Sequence, residues 1–316
     1  MGQVFLITGG AGFIGSSLSR ELSRRDSENS IFVVDNFSMG NAFEGERVSP
    51  SIHIIESDIS NPKLVRSLLR EIQPDVIFHL AANSDIAASS RSIAPDLTNT
   101  FATTASLVSS LEAVSANPHV IFASTSAIYG RHPEPLSEDS PKRPESPYGW
   151  MKLASEELLT NWARGSDGRR LTIFRFPNVT GRGQTHGVVR DLVRKYLADS
   201  TPWEILGNGH QTKPFIHVDD VIRVMLATQP MLDNLGVYDL NIAPSDSVSV
   251  RQIAEEIERA FQHHRVPFFG SAEQGWEGDV PRYSYDTSKM MGLGISVPSS
   301  LKAIRQSVLD EKQALS

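Results

Sequence analysis

Apolar residues follow two rhythms along this chain, short continuous runs that mark buried strands and three-and-four spacing that marks amphipathic helices. In the first half the two alternate. Strands are predicted at Val4 to Ile7, Ile31 to Val34, Ile52 to Ile55, Asp75 to Leu80, Val120 to Ala123 and Leu171 to Phe176. Between them fall helices at Phe13 to Leu22, Lys63 to Ile72, Thr98 to Ala113 and Tyr148 to Trp162, the last preceded by an exposed loop expected from Pro133 to Pro147. Strands separated by helical crossovers run parallel, with helices on both faces of the sheet. Beyond Asn178 the elements shorten: a helix at Val188 to Leu197, strand-like Trp203 to Leu206 and Pro214 to His217, and helices at Val218 to Ala227, Val250 to Phe261 and Leu301 to Leu309. The pattern predicts an α/β fold, with a doubly wound parallel sheet over residues 1–178, residues 208–235 packing back onto it, and a smaller mixed α/β C-terminal lobe over 179–316.

Composition narrows the partners. With 316 residues the chain can fill one large domain or two joined ones. Its net charge is −7, and the small basic groups at Arg24-Arg25 and Arg169-Arg170 read as solvated helix ends, so nucleic acid is not an expected partner. The absence of cysteine excludes disulfides, thiolate nucleophiles and iron–sulfur ligation, and the cytoplasm is the expected location. No stretch approaches the ~20 apolar residues of a membrane helix, and no basic leader precedes the first strand.

The densest chemical signal is Phe5-Leu-Ile-Thr-Gly-Gly-Ala-Gly-Phe-Ile-Gly-Ser16, where an apolar strand enters Gly9, Gly12 and Gly15 and passes directly into a helix. Glycines there allow a tight turn, backbone approach to a pyrophosphate at the helix's positive end, and close helix–strand packing: the Rossmann dinucleotide site. Asp35 closes the next strand, 20 residues beyond Gly15, where a carboxylate can accept both adenosine ribose hydroxyls. The following Asn36, Phe37 and Ser38 include no arginine for a 2′-phosphate, so NAD is favoured over NADP.

Tyr148 and Lys152 stand four apart on a helix, so both project from one face. An ammonium near a phenol, with an oxidised nicotinamide ring beside it, lowers the phenol's pKa and makes it a general base. The pair follows the fifth strand, whose end carries Ser124-Thr125-Ser126, so hydroxyl, phenol and ammonium converge where ligands bind in such sheets. His79, His217 and Asp219-Asp220 lie in strand patterns and at a helix start, and no metal is expected; His263-His264 reads as a helix C-cap. Phe101 to Leu111 reads as core or dimer contact.

Together, Gly9-Gly-Ala-Gly-Phe-Ile-Gly15, Val34-Asp-Asn36, Asp58-Ile59, His79-Leu-Ala-Ala82, Ser124-Thr-Ser-Ala-Ile-Tyr-Gly130, Tyr148-Gly-Trp-Met-Lys152, Gly207-Asn-Gly-His-Gln211 and Phe215-Ile-His-Val-Asp-Asp220 resemble the extended short-chain dehydrogenase/reductases of the NAD-dependent epimerase/dehydratase family that modify nucleotide sugars. The resemblance spans nearly the whole chain and is greatest to UDP-glucose (UDP-galactose) 4-epimerases of archaeal type. It implies that Phe13 and Ile14 join the glycines at the cofactor, and that Asp58 and Ile59 flank the adenine. Leu80, Ala81 and Ala82 line the ribose and pyrophosphate, and Asn99 sits behind the cofactor with Ala123 and Ser124 beside it. Thr125 hydrogen-bonds the reacting sugar hydroxyl, Tyr148 is the base and Lys152 holds the nicotinamide ribose. Phe176, Pro177 and Asn178 mark the strand end where nicotinamide and sugar diphosphate meet. Ser126, Val188, Val189, Leu192, Glu204 and Leu206 are expected around the substrate, and Lys213 and Asp279 contact its nucleotide part.

Departures from the family pattern sort the chemistry. Dehydratases of this family carry Asp-Glu directly after the catalytic threonine, where this chain has Ser126 and Ala127; decarboxylating relatives place a Glu at the second position, and the 3,5-epimerases use a cysteine. Lys213-Pro214 stands where Arg-Asp is commonest, and Trp276 where many epimerases place a diphosphate-binding arginine, with Arg182 or Arg282 as candidate replacements. The expected function is therefore a nucleotide-sugar 4-epimerase with tightly held NAD, a homodimer through the helices at Thr98 to Ala113 and Tyr148 to Trp162. The alternatives are a dehydratase, reductase or dehydrogenase acting on an NDP-sugar, and a non-catalytic NAD-binding regulator, against which the intact Tyr148 and Lys152 speak.

Overall fold

Val4–Thr8 (β1) is apolar on both faces and lies inside a sheet; it pairs in parallel with Ser30–Asp35 (β2) on one side and Val76–His79 (β4) on the other. The computed structural model describes residues 2–83, 92–132, 135–198, 202–232, 236–262, 265–272 and 282–315. With Ile52–Glu56 (β3), His119–Thr125 (β5), Arg170–Phe176 (β6) and the strand Val237–Asn241, the sheet has seven strands in the order Val237–Asn241, β6, β5, β4, β1, β2, β3. The direction of progression reverses between β1 and β4, which is the crevice where ligands bind in doubly wound sheets. Register sets the strand ends level there: Thr8 pairs with Val34 and His79, and His79 with Phe122.

Helices Phe13–Arg25 (α1), Pro62–Ile72 (α2), Ala102–Val114 (α3) and Pro147–Arg164 (α4) flank the sheet. On the face covered by α2, α3 and α4, Leu69, Leu107, Leu159 and Trp162 bury against Leu6, Phe122 and Ile173. The expected Rossmann sheet is thus present, and its helices fall close to their predicted positions. The third departs at its start. It begins four residues early with Ala94–Asp96 and passes through a π-helical turn, Leu97–Phe101, before α3 proper. Pro95 fits a first turn because its missing N–H is not needed there. The Thr98 hydroxyl donates to the Ala94 carbonyl at 2.9 Å and that of Thr103 to the Thr100 carbonyl at 2.8 Å, which loosens the regular ladder.

The chain divides into two compact units that are discontinuous in sequence: residues 1–128, 146–175 and 225–240 form the first, and 129–145, 176–224 and 241–316 the second. The second is built on helices Val188–Leu197, Val250–Phe261 and Ser300–Ala314, whose Val193, Tyr196, Ile253, Ile257, Ile304 and Val308 enclose Trp203 and Phe215. Ser249 and Gln252 form a capping box at the start of one of these helices. His217 Nε2 meets Asp310 Oδ2 at 2.9 Å and ties the last helix to the strand Phe215–His217. The stretch expected as an exposed loop before Pro147 is partly inside this unit. Leu136 is buried and bridges to Tyr285, and Glu138 Oε1 accepts the Asn241 N–H at 2.7 Å, so one apolar residue and one hydrogen-bonded carboxylate anchor it. Among the described residues no helix is long and apolar enough to cross a membrane.

Candidate active site

Glycine 9 turns at φ +68°, and a Cβ there would lie 2.7 Å from the Ala81 Cα. At Gly15 an added Cβ would meet the Gly9 carbonyl oxygen at 2.5 Å and Gly10 Cα at 2.6 Å, so the helix packs on the turn at a distance only glycine permits. Gly12 caps α1 without a side-chain bond, and the helix has no acidic residue in its first turn. Its leading N–H groups therefore stay available to an anion. Asp35 braces this turn from β2: Oδ2 accepts the Ala11 N–H at 3.0 Å and Oδ1 that of Phe37 at 2.9 Å. Burial raises the Asp35 pKa, and these backbone bonds oppose the rise without cancelling it. Phe13 and Ile14 are half-buried at the helix start, and Asn36 is exposed.

Level with this turn are the ends of β3, β4 and β5. Asp58 is exposed and accepts the Ser60 N–H at 2.9 Å, whereas Ile59 is buried. Leu80, Ala81 and Ala82 remain half-buried, with the Leu80 N–H donating to the Thr8 carbonyl at 3.0 Å. Asn99 sits half-buried within the π turn. Ala123 and Ser124 are buried, and among the described residues the Ser124 hydroxyl has no hydrogen-bond partner. A glycine cradle, a ribose-height carboxylate and an orphaned buried hydroxyl fit a dinucleotide; Gly9, Gly12, Gly15, Asp35 and Ser124 would hold it.

Beside that cradle stands the triad anticipated from spacing. Ser146 caps α4 by accepting the Gly149 N–H at 3.1 Å, and Pro147 occupies the first turn, which fixes where Tyr148 and Lys152 leave the helix. The Tyr148 hydroxyl hydrogen-bonds Thr125, and Thr125 Oγ1 also accepts the Ala127 N–H at 3.2 Å. Ser126 opens the short turn Ser126–Ile128 and is half-buried. Lys152 is buried, donates from Nζ to the Ala123 carbonyl at 2.7 Å and lies 4.7 Å from the Phe122 ring centroid. Burial lowers its pKa to about 7, against the pull of Glu156.

The protein's own groups push Tyr148 up to about 12, burial foremost, with the Thr125 bond opposing and Asp96 adding to the rise; the expected lowering needs the oxidised nicotinamide ring together with Lys152. Asp96 and its partner Asn83, whose Nδ2 donates to Asp96 Oδ1 at 2.9 Å, are site residues that sequence reasoning missed. Only the position of Asn83, directly after Ala82, could have signalled them. His79, with ring nitrogens 2.7 Å from Thr8 Oγ1 and 2.9 Å from Thr104 Oγ1, has its pKa lowered to about 3 by burial and by Lys152, and stays neutral. Among the described residues no three His, Asp or Glu side chains are grouped to hold a metal.

The second unit carries the residues expected around a substrate. Phe176 and Pro177 are buried, and Asn178 Nδ2 donates to the Pro214 carbonyl at 3.3 Å and to the Tyr283 hydroxyl at 3.0 Å. Lys213 and Val188 are half-buried, Val189 and Leu192 lie in the unit's core, and Glu204 and Leu206 are exposed. Asp279 lies outside the described residues.

A strand–glycine–helix cradle combined with a Thr/Tyr/Lys triad at one sheet edge defines an NAD-using enzyme of the short-chain dehydrogenase type. The NAD dependent epimerase/dehydratase family model matches residues 5–243, and the chain belongs to that family. It is 28% identical over 307 residues to a putative UDP-glucose 4-epimerase of Methanocaldococcus jannaschii, covering 95% of each chain. It is also 28% identical over 298 residues to a UDP-N-acetyl-alpha-D-glucosaminuronate decarboxylase of Bacillus cytotoxicus, covering 90% of this chain and 89% of that one. A crystal structure of the Thermus thermophilus UDP-glucose 4-epimerase in complex with NAD superposes with a TM-score of 0.86 at 25% identity, covering 98% of this chain and 99% of the other.

Proposed function

We propose that this protein is a nucleotide-sugar 4-epimerase that inverts C4 of an NDP-sugar through a transient 4-keto intermediate, with NAD as a tightly held cofactor. The observation that carries this reading is the Thr125–Tyr148–Lys152 set followed by Ser126 and Ala127, side chains with no acid to eliminate water. NAD, when bound, supplies a reversible two-electron acceptor at the sheet edge.

Tyr148, as its phenolate, takes the proton from the sugar's 4-hydroxyl directly or through the Thr125 hydroxyl, and returns it after the 4-keto sugar has presented its other face. Thr125, already bonded to Tyr148, orients that hydroxyl. Lys152, whose Nζ is bonded to the Ala123 carbonyl at the same strand end, would hold the cofactor ribose. Atoms and electrons balance over the cycle, so no net oxidation occurs. Asn178, Lys213 and Asp279 are assigned to the diphosphate and nucleotide of the substrate, and Val188, Glu204 and Leu206 to its surroundings.

The reading includes a cytoplasmic homodimer joined through α3 and α4. Leu97, which opens the π turn before α3, and Trp150, in the first turn of α4, are 47% and 53% exposed, an apolar surface that pairing would cover.

Proton NMR of the purified protein with a panel of nucleotide sugars in deuterated water tests the activity. Inversion at C4 with no deuterium entering carbon is expected. Deuterium at C3 or C5 with loss of water, or loss of carbon dioxide from a uronic acid substrate, would assign the chain to the dehydratase or decarboxylase branch instead.

A further inference from the structure

The segment 36–46, which leaves β2 directly after Asp35, contains no helix or strand, yet it is stitched to the glycine cradle at two points. The Phe37 N–H donates to Asp35 Oδ1 at 2.9 Å, and the Ala42 N–H donates to the Ala11 carbonyl in the glycine turn at 2.9 Å. Ala11 in turn donates its own N–H to Asp35 Oδ2 at 3.0 Å. Asp35, Ala11 and Ala42 are thereby linked in one hydrogen-bonded chain that closes through the segment itself.

Local preference does not hold the segment in this shape. Phe37 stands in the left-handed region at φ +55°, a conformation that a bulky residue keeps only where its surroundings impose it. The side chain that does so is Arg20, two turns into α1. Its Nη2 donates to the Ala42 carbonyl at 2.9 Å and to Glu46 Oε2 at 2.7 Å, and its guanidinium carbon lies 4.7 Å from the Phe43 ring centroid. Phe43 is buried beneath it. Ala42 is thus gripped from both sides, its N–H by the glycine turn and its carbonyl by the helix which that turn begins. The ion pair adds least, because its side chains are 34% and 53% exposed. The charge-assisted bond to a main-chain carbonyl, made across an aromatic ring, is what fixes the geometry.

We propose that Arg20 is a positioning residue for the cofactor: by holding Ala42 and Phe43 to α1 it keeps Asp35 and the segment 36–46 set for the adenosine ribose, and so slows release of the dinucleotide. The inference rests on NAD being the bound dinucleotide. A helix side chain outside the glycine turn then governs how long the cofactor stays.

The test exchanges radiolabelled NAD out of the purified holoenzyme against excess unlabelled NAD, so that dissociation is read rather than turnover. Arg20→Met keeps an apolar stem over Phe43 but has no donor for the Ala42 carbonyl, and it is expected to speed exchange about tenfold. Arg20→Lys restores a donor and should stay within about threefold of wild type, and Glu46→Gln within about twofold. ADP-ribose binding to the NAD-free protein, read by calorimetry, should weaken in Arg20→Met by the same factor as NAD binding, because the two ligands share the affected end. Wild-type exchange in Arg20→Met, equal acceleration in the Met and Lys variants, or as large an effect from Glu46→Gln would overturn the proposal; Arg20→Gln serves if the Met variant does not fold. A wild-type protein that carries no NAD and takes none up would fail the cofactor reading itself, whereas slow exchange unmoved by Arg20→Met would fail this inference alone.

Discussion

Lys152 Nζ and the Ala123 carbonyl are 2.7 Å apart, so the buried ammonium of α4 is bonded to the strand that presents Thr125 rather than to the phenol one turn before it. Its pKa of about 7, against an ordinary 10.5, means the folded protein releases this proton while the unfolded chain keeps it. Between those values the unfolded state binds more protons, so stability contributed at this site rises with pH. Lys152→Met should abolish this dependence and lower kcat by at least about 100-fold. Thermal melts from pH 6.5 to 9 should show the wild type gaining on the variant; parallel curves would refute the burial argument.

Gly15→Ala and Gly12→Ala should separate folding from binding. The Cβ at Gly15 meets main-chain atoms at 2.5 and 2.6 Å, whereas that at Gly12 meets its nearest neighbour at 3.3 Å. The first variant should lose roughly 1–3 kcal/mol in urea unfolding of the NAD-free protein. The second should unfold near wild type yet bind NAD at least about tenfold more weakly by calorimetry, since its methyl occupies the approach to the helix N-terminus.

Replacing Thr125 tests the hydroxyl itself. Thr125→Ser keeps the bond to Tyr148 and should retain activity within about tenfold, whereas Thr125→Val, of equal shape, should cost about 100-fold in kcat. Similar rates for the two would mean that Thr125 only packs.

Glu156 and Arg175 form a fully buried fork, extended by Asp239 at 2.9 Å from Arg175 Nη1. Glu156→Gln leaves the guanidinium partly uncompensated in a dry site and should cost about 3–5 kcal/mol of stability. Denaturant titration measures this directly, and a loss below about 1 kcal/mol would show that Asp239 suffices.

Much of this was legible in the residues because it rests on local rules. Strand–helix alternation, the Gly9–Gly15 turn and the four-residue spacing of Tyr148 and Lys152 each express a short-range geometric demand, and the structure contains all three. What escaped has tertiary causes. Val237–Asn241 is a mixed polar and apolar edge strand recognisable only beside β6, and strands such as Thr212–Lys213 are too short to carry a pattern. The π turn arises from threonine hydroxyls bonding backward, and Asp96 reads as an ordinary helix-start acid until its burial is seen. Protonation was the least legible property, since spacing reports that Lys152 and Tyr148 share a face but not that the ammonium bonds elsewhere.

The first unit draws its final strand from residues 237–241, while residues 129–145 leave it for the second unit between the two halves of the triad. During synthesis, then, β6 emerges with its outer edge bare and keeps it so until most of the chain has left the ribosome. A bare apolar edge is an invitation to pair with another chain. Chaperone dependence and low-temperature expression should therefore matter more for this protein's yield than the thermal stability of its finished form.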